Sequence, residues 1–221
     1  MTPATADWFR ALHRGHGVEL REGATLRRLL ADGARAVGAE LADGSRIDVD
    51  VVLVGIGVQP NVELAAQAGL ALDNGIAVDA HCRTSDPAIL AAGDCCSFEY
   101  RGQRVRLESV QNANDQAAVA AHTVAGQDKP YAALPWFWSD QYDCKLQIAG
   151  LNLGHDDVVV RPGKSERSRS VWYYRGEQLL AVDAINDAAA FVTAKKLLER
   201  GASVPKAAAA DVLSEFRTWL A

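Results

Sequence analysis

One stretch constrains this chain more than any other: Thr84, Ser85, Asp86, Pro87, then Ala88–Ala92, Gly93, Asp94 and Cys95. Ala88-Ile-Leu-Ala-Ala92 has the composition of a buried strand in a sheet covered on both faces. The run stops at Gly93-Asp94. A glycine there lets backbone approach a ligand closely, and Asp94 falls just past the carboxyl end of the strand, where open α/β sheets bind their ligands. A carboxylate in that position with no adjacent base suits a hydroxyl-rich ligand such as a ribose or ribitol chain. The plainer reading is a buried strand followed by a turn Asp.

The stretch resembles the second flavin-binding motif of the FAD-dependent pyridine-nucleotide reductases. Three further blocks agree in order and spacing: Val52–Asn61 (VLVGIGVQPN), Arg106–Ala113 (RLESVQNA) and Pro135–Tyr142 (PWFWSDQY). Together they resemble the branch that reduces two-iron ferredoxins for oxygenases, the rubredoxin, putidaredoxin and rhodocoxin reductase type. The resemblance implies that Asp94, with Gly93 before it, meets the FAD ribitol and that Val110 offers a backbone contact to the flavin. It also places Glu108 near the nicotinamide, Trp138 beside the flavin ring, and Gly57 close to the nicotinamide nucleotide. FAD as cofactor and NAD(P)H as electron donor are expected on the same ground. No catalytic acid–base residue and no metal ligand is expected, because the cofactor carries the hard chemistry.

Other features bound the class. A formal net charge of −5 argues against nonspecific nucleic-acid binding, which needs clustered Lys and Arg. No apolar run approaches the roughly 20 residues of a membrane helix, and no basic-then-apolar leader opens the chain, so a cytoplasmic protein is expected. Cys82, Cys95, Cys96 and Cys144 form neither a Cys-x-x-Cys nor a zinc pattern; adjacent Cys95 and Cys96 close a disulfide only with strain, so all four are read as reduced thiols.

In chain order, residues 5–15 read as an amphipathic helix ending at Gly15. Val18–Leu20, Ala24–Leu30, Ala34–Ala42 and Arg46–Asp50 read as strands, with turns at Asp32-Gly33 and Asp43-Gly44. Val51–Val54 reads as an apolar parallel strand ending in Gly55-Ile-Gly57, and Asn61–Ala68 as a helix stopped by Gly69. Ile76–Val78 is a short strand and Ser97–Arg106 a hairpin. A helix from Gln111 to Ala125 presents an Ala-rich face (Ala113, Ala117, Ala118, Ala121) for close packing. Beyond a polar linker at Gln127–Pro130, strands are expected at Trp136–Ser139, Cys144–Leu151, Val158–Arg161, Arg169–Tyr174 and Leu179–Asp183. Helices follow at Asp187–Arg200 and Ala210–Leu220, with a short turn after Pro205. The basic loop Arg161, Lys164, Arg167 and Arg169 is either a solvated hairpin or a surface for an acidic ferredoxin.

The expected fold is therefore α/β and α+β: a partial Rossmann-like FAD/NAD-binding region, then a C-terminal antiparallel sheet with helices. Domains are expected at 1–57 (second half of the NAD-binding domain), 58–127 (second half of the FAD-binding domain) and 128–221 (C-terminal interface domain). No Gly-x-Gly-x-x-Gly occurs in the chain, so neither nucleotide fingerprint is present. Two functions follow: electron transfer from NADH through FAD to a two-iron ferredoxin, or a non-catalytic fragment or split-enzyme subunit. The second acts by binding an N-terminal half or by forming a homodimer.

Overall fold

The computed structural model describes residues 2–220. The chain divides into two units, one ending at Gln59 and one beginning at Pro60.

In the first unit, α1 (Pro3–Gly15) opens with proline, whose fixed φ and missing N–H suit a first helical turn. It buries Thr5 and Phe9. The helix ends at Gly15, as expected, and the left-handed position just beyond it is taken by Gly17, at φ +79°. Strands β1 (Leu26–Asp32), β2 (Arg35–Leu41) and β3 (Arg46–Asp48) form an antiparallel sheet in the order β1-β2-β3. Local chemistry sets both turns. Gly33 follows Asp32 at φ +60°, and the Asp43 carboxylate accepts from the Ser45 amide at 2.9 Å and its hydroxyl at 2.7 Å. Glu40, buried on β2, is met by Arg27, Arg28 and Arg46 at 3.1, 2.9 and 3.5 Å.

Two expected strands of this unit are absent. Val18–Leu20 is irregular. Val51–Val54 is also irregular, with Leu53 93% exposed and Ile56 92% exposed. A parallel strand needs partners on its edges and cover on its faces, and no strand among the described residues pairs with this segment.

In the second unit, α2 (Glu63–Gln67) leads to Gly69 at φ +70°. Strand β4 (Ile76–Ala77) lies parallel to β5 (Cys96–Tyr100), which forms a hairpin with β6 (Gln103–Arg106). Arg101 and Gly102, both at positive φ, make the two-residue turn. The expected strand Ala88–Ala92 does not form: Leu90 makes one isolated bridge to Arg83, and Ile89 stays exposed. Its apolar composition matches a buried strand, but partners for one are missing among the described residues.

Helix α3 (Val110–Val124) is capped by Ser109 and followed by Gly126 at φ +69°. Its buried face carries Asn112, Gln116 and Val119, while Ala117, Ala118 and Ala121 are exposed. The face that packs within the unit is therefore the polar one and not the alanine stripe.

Strands β7 (Trp136–Gln141), β8 (Cys144–Gly150), β9 (Asp157–Pro162), β10 (Arg169–Arg175) and β11 (Gln178–Ile185) form one antiparallel sheet in the order β7-β8-β11-β10-β9. Helix α4 (Ala188–Glu199) packs Ala190, Phe191, Ala194, Leu197 and Leu198 into a core with Trp172, Tyr174 and Val182. After the short α5 (Lys206–Ala210), the expected helix Ala210–Leu220 is reduced to a 3₁₀ turn at Phe216–Trp219. Arg161 explains that irregularity. Its buried guanidinium donates to the carbonyls of Ala208, Ala209, Asp211, Val212 and Ser214, holding the segment in a course that a continuous helix would not follow. Arg161 is thus removed from the basic surface loop, and Arg167 in that loop is paired with Asp143.

Candidate functional site

Gly93 sits at φ +87°, a conformation costly for any residue with a Cβ. Its amide donates to Gln116 Oε1 at 2.7 Å, and its carbonyl accepts from the Cys96 amide at 3.0 Å as β5 begins. Asp94 projects from this turn and is exposed. Arg106 Nη1 holds the Asp94 carbonyl at 3.0 Å and reaches Glu108 Oε1 at 2.6 Å. The Asp94 carboxylate itself has no hydrogen bond or ion pair among the described residues. A turn fixed at its backbone therefore presents an uncommitted carboxylate.

The start of α3 is organised beside it in the chain. Ser109 Oγ accepts from the Asn112 amide at 3.1 Å, and Ser109 O accepts from the Ala113 amide at 3.0 Å. The amides of Val110 and Gln111 have no acceptor among the described residues, and Val110 is 61% exposed. Two open N–H groups at the positive end of a 15-residue helix favour an acceptor or a developing negative charge. Beneath them, buried Asn112 donates to Leu107 O at 3.2 Å and accepts from Tyr131 Oη at 2.9 Å. Burial pushes the Tyr131 hydroxyl up to about 12, so it remains a donor throughout the physiological range.

The third component is the start of β7. The Trp136 amide donates to Gln111 Oε1 at 3.3 Å, tying that strand to the first turn of α3. Trp138 lies on the same strand face, its ring 5.4 Å from that of Trp136, and is 45% exposed. Gly93, Asp94, Glu108 and Val110 thus share one hydrogen-bonded frame, with Trp138 joined to it through Trp136 and Gln111. Gly57 belongs to the other unit, at φ +92°, with nothing within 4 Å of where a Cβ would stand.

Sequence reasoning missed the residues that build the frame. Gln116, Arg106 and Asn112 each hold a backbone group; Arg106 and Asn112 fall inside the Arg106–Ala113 block, but nothing in it marks them as framework, and Gln116 lies outside every block. The available signal was polarity: Asn112 and Gln116 are one turn apart on a helix otherwise rich in alanine. Behind Gln116 opens a cavity of about 600 Å³ lined by Cys82, Thr84, Phe98 and Tyr131, and none of the six predicted site residues lines it.

Residues 1–117 match the family described as pyridine nucleotide-disulphide oxidoreductase, and residues 136–220 match the family described as reductase C-terminal. The chain is 43% identical over 213 residues to the 5,5'-dehydrodivanillate O-demethylase ferredoxin reductase subunit of Sphingobium sp., covering 95% of this chain and 52% of that protein. It is 41% identical to the rhodocoxin reductase of Rhodococcus erythropolis, covering 96% of this chain and 50% of that one. Among solved structures, the ferredoxin reductase for the CYP199A2 system from Rhodopseudomonas palustris superposes with a TM-score of 0.95 at 43% identity, covering 100% of this chain and 55% of that one. The putidaredoxin reductase–putidaredoxin covalent complex also gives a TM-score of 0.95, at 35% identity, with 54% of that chain covered. The chain spans about half the length of these relatives. With both matches in sequence order, the chain belongs to the pyridine nucleotide-disulphide oxidoreductase family, in its branch with a reductase C-terminal domain.

Proposed function

We propose that the chain is the C-terminal portion of an FAD-dependent NAD(P)H:ferredoxin oxidoreductase, serving the two-iron ferredoxin of an oxygenase system in the cytoplasm. The carrying observation is the uncommitted Asp94 carboxylate and the open Val110 and Gln111 amides, held in one frame by Gln116 and Arg106. These groups fit the two ends of a flavin nucleotide's hydrogen-bonding needs: acceptors for ribitol hydroxyls, and donors for the pyrimidine oxygens.

When bound, FAD supplies the conversion of a two-electron hydride into single electrons. The chain's own residues bind and orient. Asp94 accepts from the ribitol, the Gly93 backbone permits close approach, and the first amides of α3 stabilise negative charge on the ring. Trp138 would cover the ring and exclude water, and Glu108 would stand on the nicotinamide side; Gly57, in the first unit, is proposed separately as a backbone contact to the nicotinamide nucleotide. We assign residues 1–57 to the second half of an NAD-binding domain, 58–127 to the second half of an FAD-binding domain, and 128–221 to a C-terminal interface domain. A ferredoxin is the proposed partner, as the names of the relatives suggest.

A second reading is favoured by the exposed apolar run Val51, Leu53, Val54 and Ile56. In it the chain acts as one half of a split enzyme or as a dimerising subunit, and an N-terminal half or a second copy covers this run. A visible absorption spectrum of the purified chain titrated with FAD separates the two. A stoichiometric flavin band with shifted fine structure, bleached by NADH, supports the reductase reading. A flat spectrum without quenching of added FAD leaves the partner-dependent reading.

A further inference from the structure

The thiols of the two cysteines that follow Asp94 have no part in the site described above. Cys95 Sγ and Cys96 Sγ stand 3.8 Å apart; Cys95 is half-buried on the turn and Cys96 fully buried at the start of β5. The pair resists closing on itself. Consecutive Cα atoms across a trans peptide are about 3.8 Å apart, whereas unstrained disulfides span about 4.4–6.8 Å between Cα atoms. A single bridging atom meets no such obstacle: with bonds of about 2.3 Å to both sulfurs and the pyramidal angle of roughly 100° that a lone pair leaves, it spans about 3.5 Å, so the sulfurs need close by only a few tenths of an ångström.

We propose that Cys95 and Cys96 form a vicinal dithiol site for a trivalent organoarsenical, bridged through both sulfurs. The class of ligand follows from what surrounds the pair. A divalent zinc or cadmium ion needs further protein ligands, and the described residues hold no group of three His, Cys, Asp or Glu side chains placed for a metal ion. A monosubstituted arsenic(III) centre needs only two sulfurs beside its carbon. Each thiol replaces one hydroxyl on arsenic, forming an As–S bond and releasing one water; the thiol proton leaves with that water and no oxidation state changes. Cys95 is reached first, being half-buried, and the second step is intramolecular, so its effective concentration is high. Burial and the neighbouring sulfur push the Cys96 thiol up, so it enters as a neutral thiol whose proton the departing hydroxyl takes.

The site stands on this chain's residues alone and does not require flavin. Phenylarsine oxide is the probe, with intact-mass spectrometry of the full chain as readout. The expected result is one phenylarsenic per chain, retained in excess monothiol, removed by ethanedithiol, and mapped to the peptide holding Cys95 and Cys96. Cys95→Ser and Cys96→Ala each abolish retention, while Cys82→Ser and Cys144→Ser preserve it. Since Cys96 lies in the core, Cys95→Ser and the wild-type peptide map decide the matter if Cys96→Ala does not fold. No adduct retained in monothiol, or an adduct that persists in Cys95→Ser, overturns the proposal.

Discussion

The side-chain carbonyl of Gln116 accepts a hydrogen bond from the Gly93 amide at 2.7 Å, fastening the turn before Asp94 to the second turn of α3. Both groups are buried. Gln116→Leu keeps the approximate volume but leaves that amide without a partner, a loss of about 1–3 kcal/mol. The expected outcome is a lower urea midpoint with an unchanged slope. An unshifted midpoint would mean the turn is held without Gln116.

Asp94 makes the complementary case. Its carboxylate spends nothing on the fold, so Asp94→Asn should leave the unfolding midpoint within about 0.5 kcal/mol of the parent. If the carboxylate holds a hydroxyl of FAD, the same change removes a charged hydrogen bond worth about 1.5–3 kcal/mol, or roughly a 10- to 150-fold rise in Kd. Flavin fluorescence titration of both proteins measures it. Equal affinities would remove Asp94 from the proposed site.

The contrast between these residues shows what the sequence disclosed. The hairpins at Asp43-Gly44 and around Gly102 were readable because turn chemistry and strand partners lie within a few residues of each other. Ala88–Ala92 and Val51–Val54 carry strand composition yet do not pair, because parallel strands depend on partners distant in sequence. The alanine face of α3 was misassigned for a related reason: alanine tolerates both burial and exposure, and only tertiary contacts showed that Asn112 and Gln116 point inward. The frame under the site was legible only in part: Arg106 and Asn112 fall in a block singled out in sequence, but that they and Gln116 bind backbone shows only in tertiary contacts.

Arg161 and Arg167 look alike in sequence and differ in place. Arg161 supports five carbonyls and lies 4.8 Å from the centre of the Phe216 ring; lysine has a single nitrogen with fewer donors and lacks the planar fork that spans these carbonyls. Arg161→Lys should destabilise by about 3 kcal/mol, as breaking a buried charged network does. Arg167 pairs with exposed Asp143, so Arg167→Ala should cost less than about 1 kcal/mol. Thermal unfolding followed by near-ultraviolet dichroism, which reports Trp172 and Trp219 in this core, tests the ordering. Equal effects would refute it.

Glu40 ties stability to pH. Hydrogen bonding from Arg28, followed by the charges of Arg28, Arg27 and Arg46, lowers its carboxyl against an opposing effect of burial. A carboxyl lowered on folding contributes stability that is complete above the ordinary glutamate value of about 4.3, and that contribution is lost as pH falls through the lowered value. Glu40→Gln should therefore weaken the protein at neutral pH and flatten its acid loss. Urea midpoints for parent and variant at about pH 6 and about pH 3 check this. A parallel pair of curves would show that Glu40 is not the titrating group.

The run from Val51 to Val58 bears most directly on how the chain works. Val51, Leu53, Val54, Ile56 and Val58 are all more than half exposed, and the run forms no helix or strand. An apolar segment of this kind is open to proteases and to association. Limited thermolysin digestion of the isolated chain should cut there first and release a fragment beginning near Gln59. That fragment should keep a cooperative unfolding transition, since the core around Trp172, Val182 and Leu197 lies wholly within residues 60–220. If a second copy covers the run, cleavage should slow as protein concentration rises. If an N-terminal half covers it, cleavage should be independent of concentration and suppressed only when that half is supplied. Rapid cleavage elsewhere, with this run intact, would show that the segment is already protected within the chain itself.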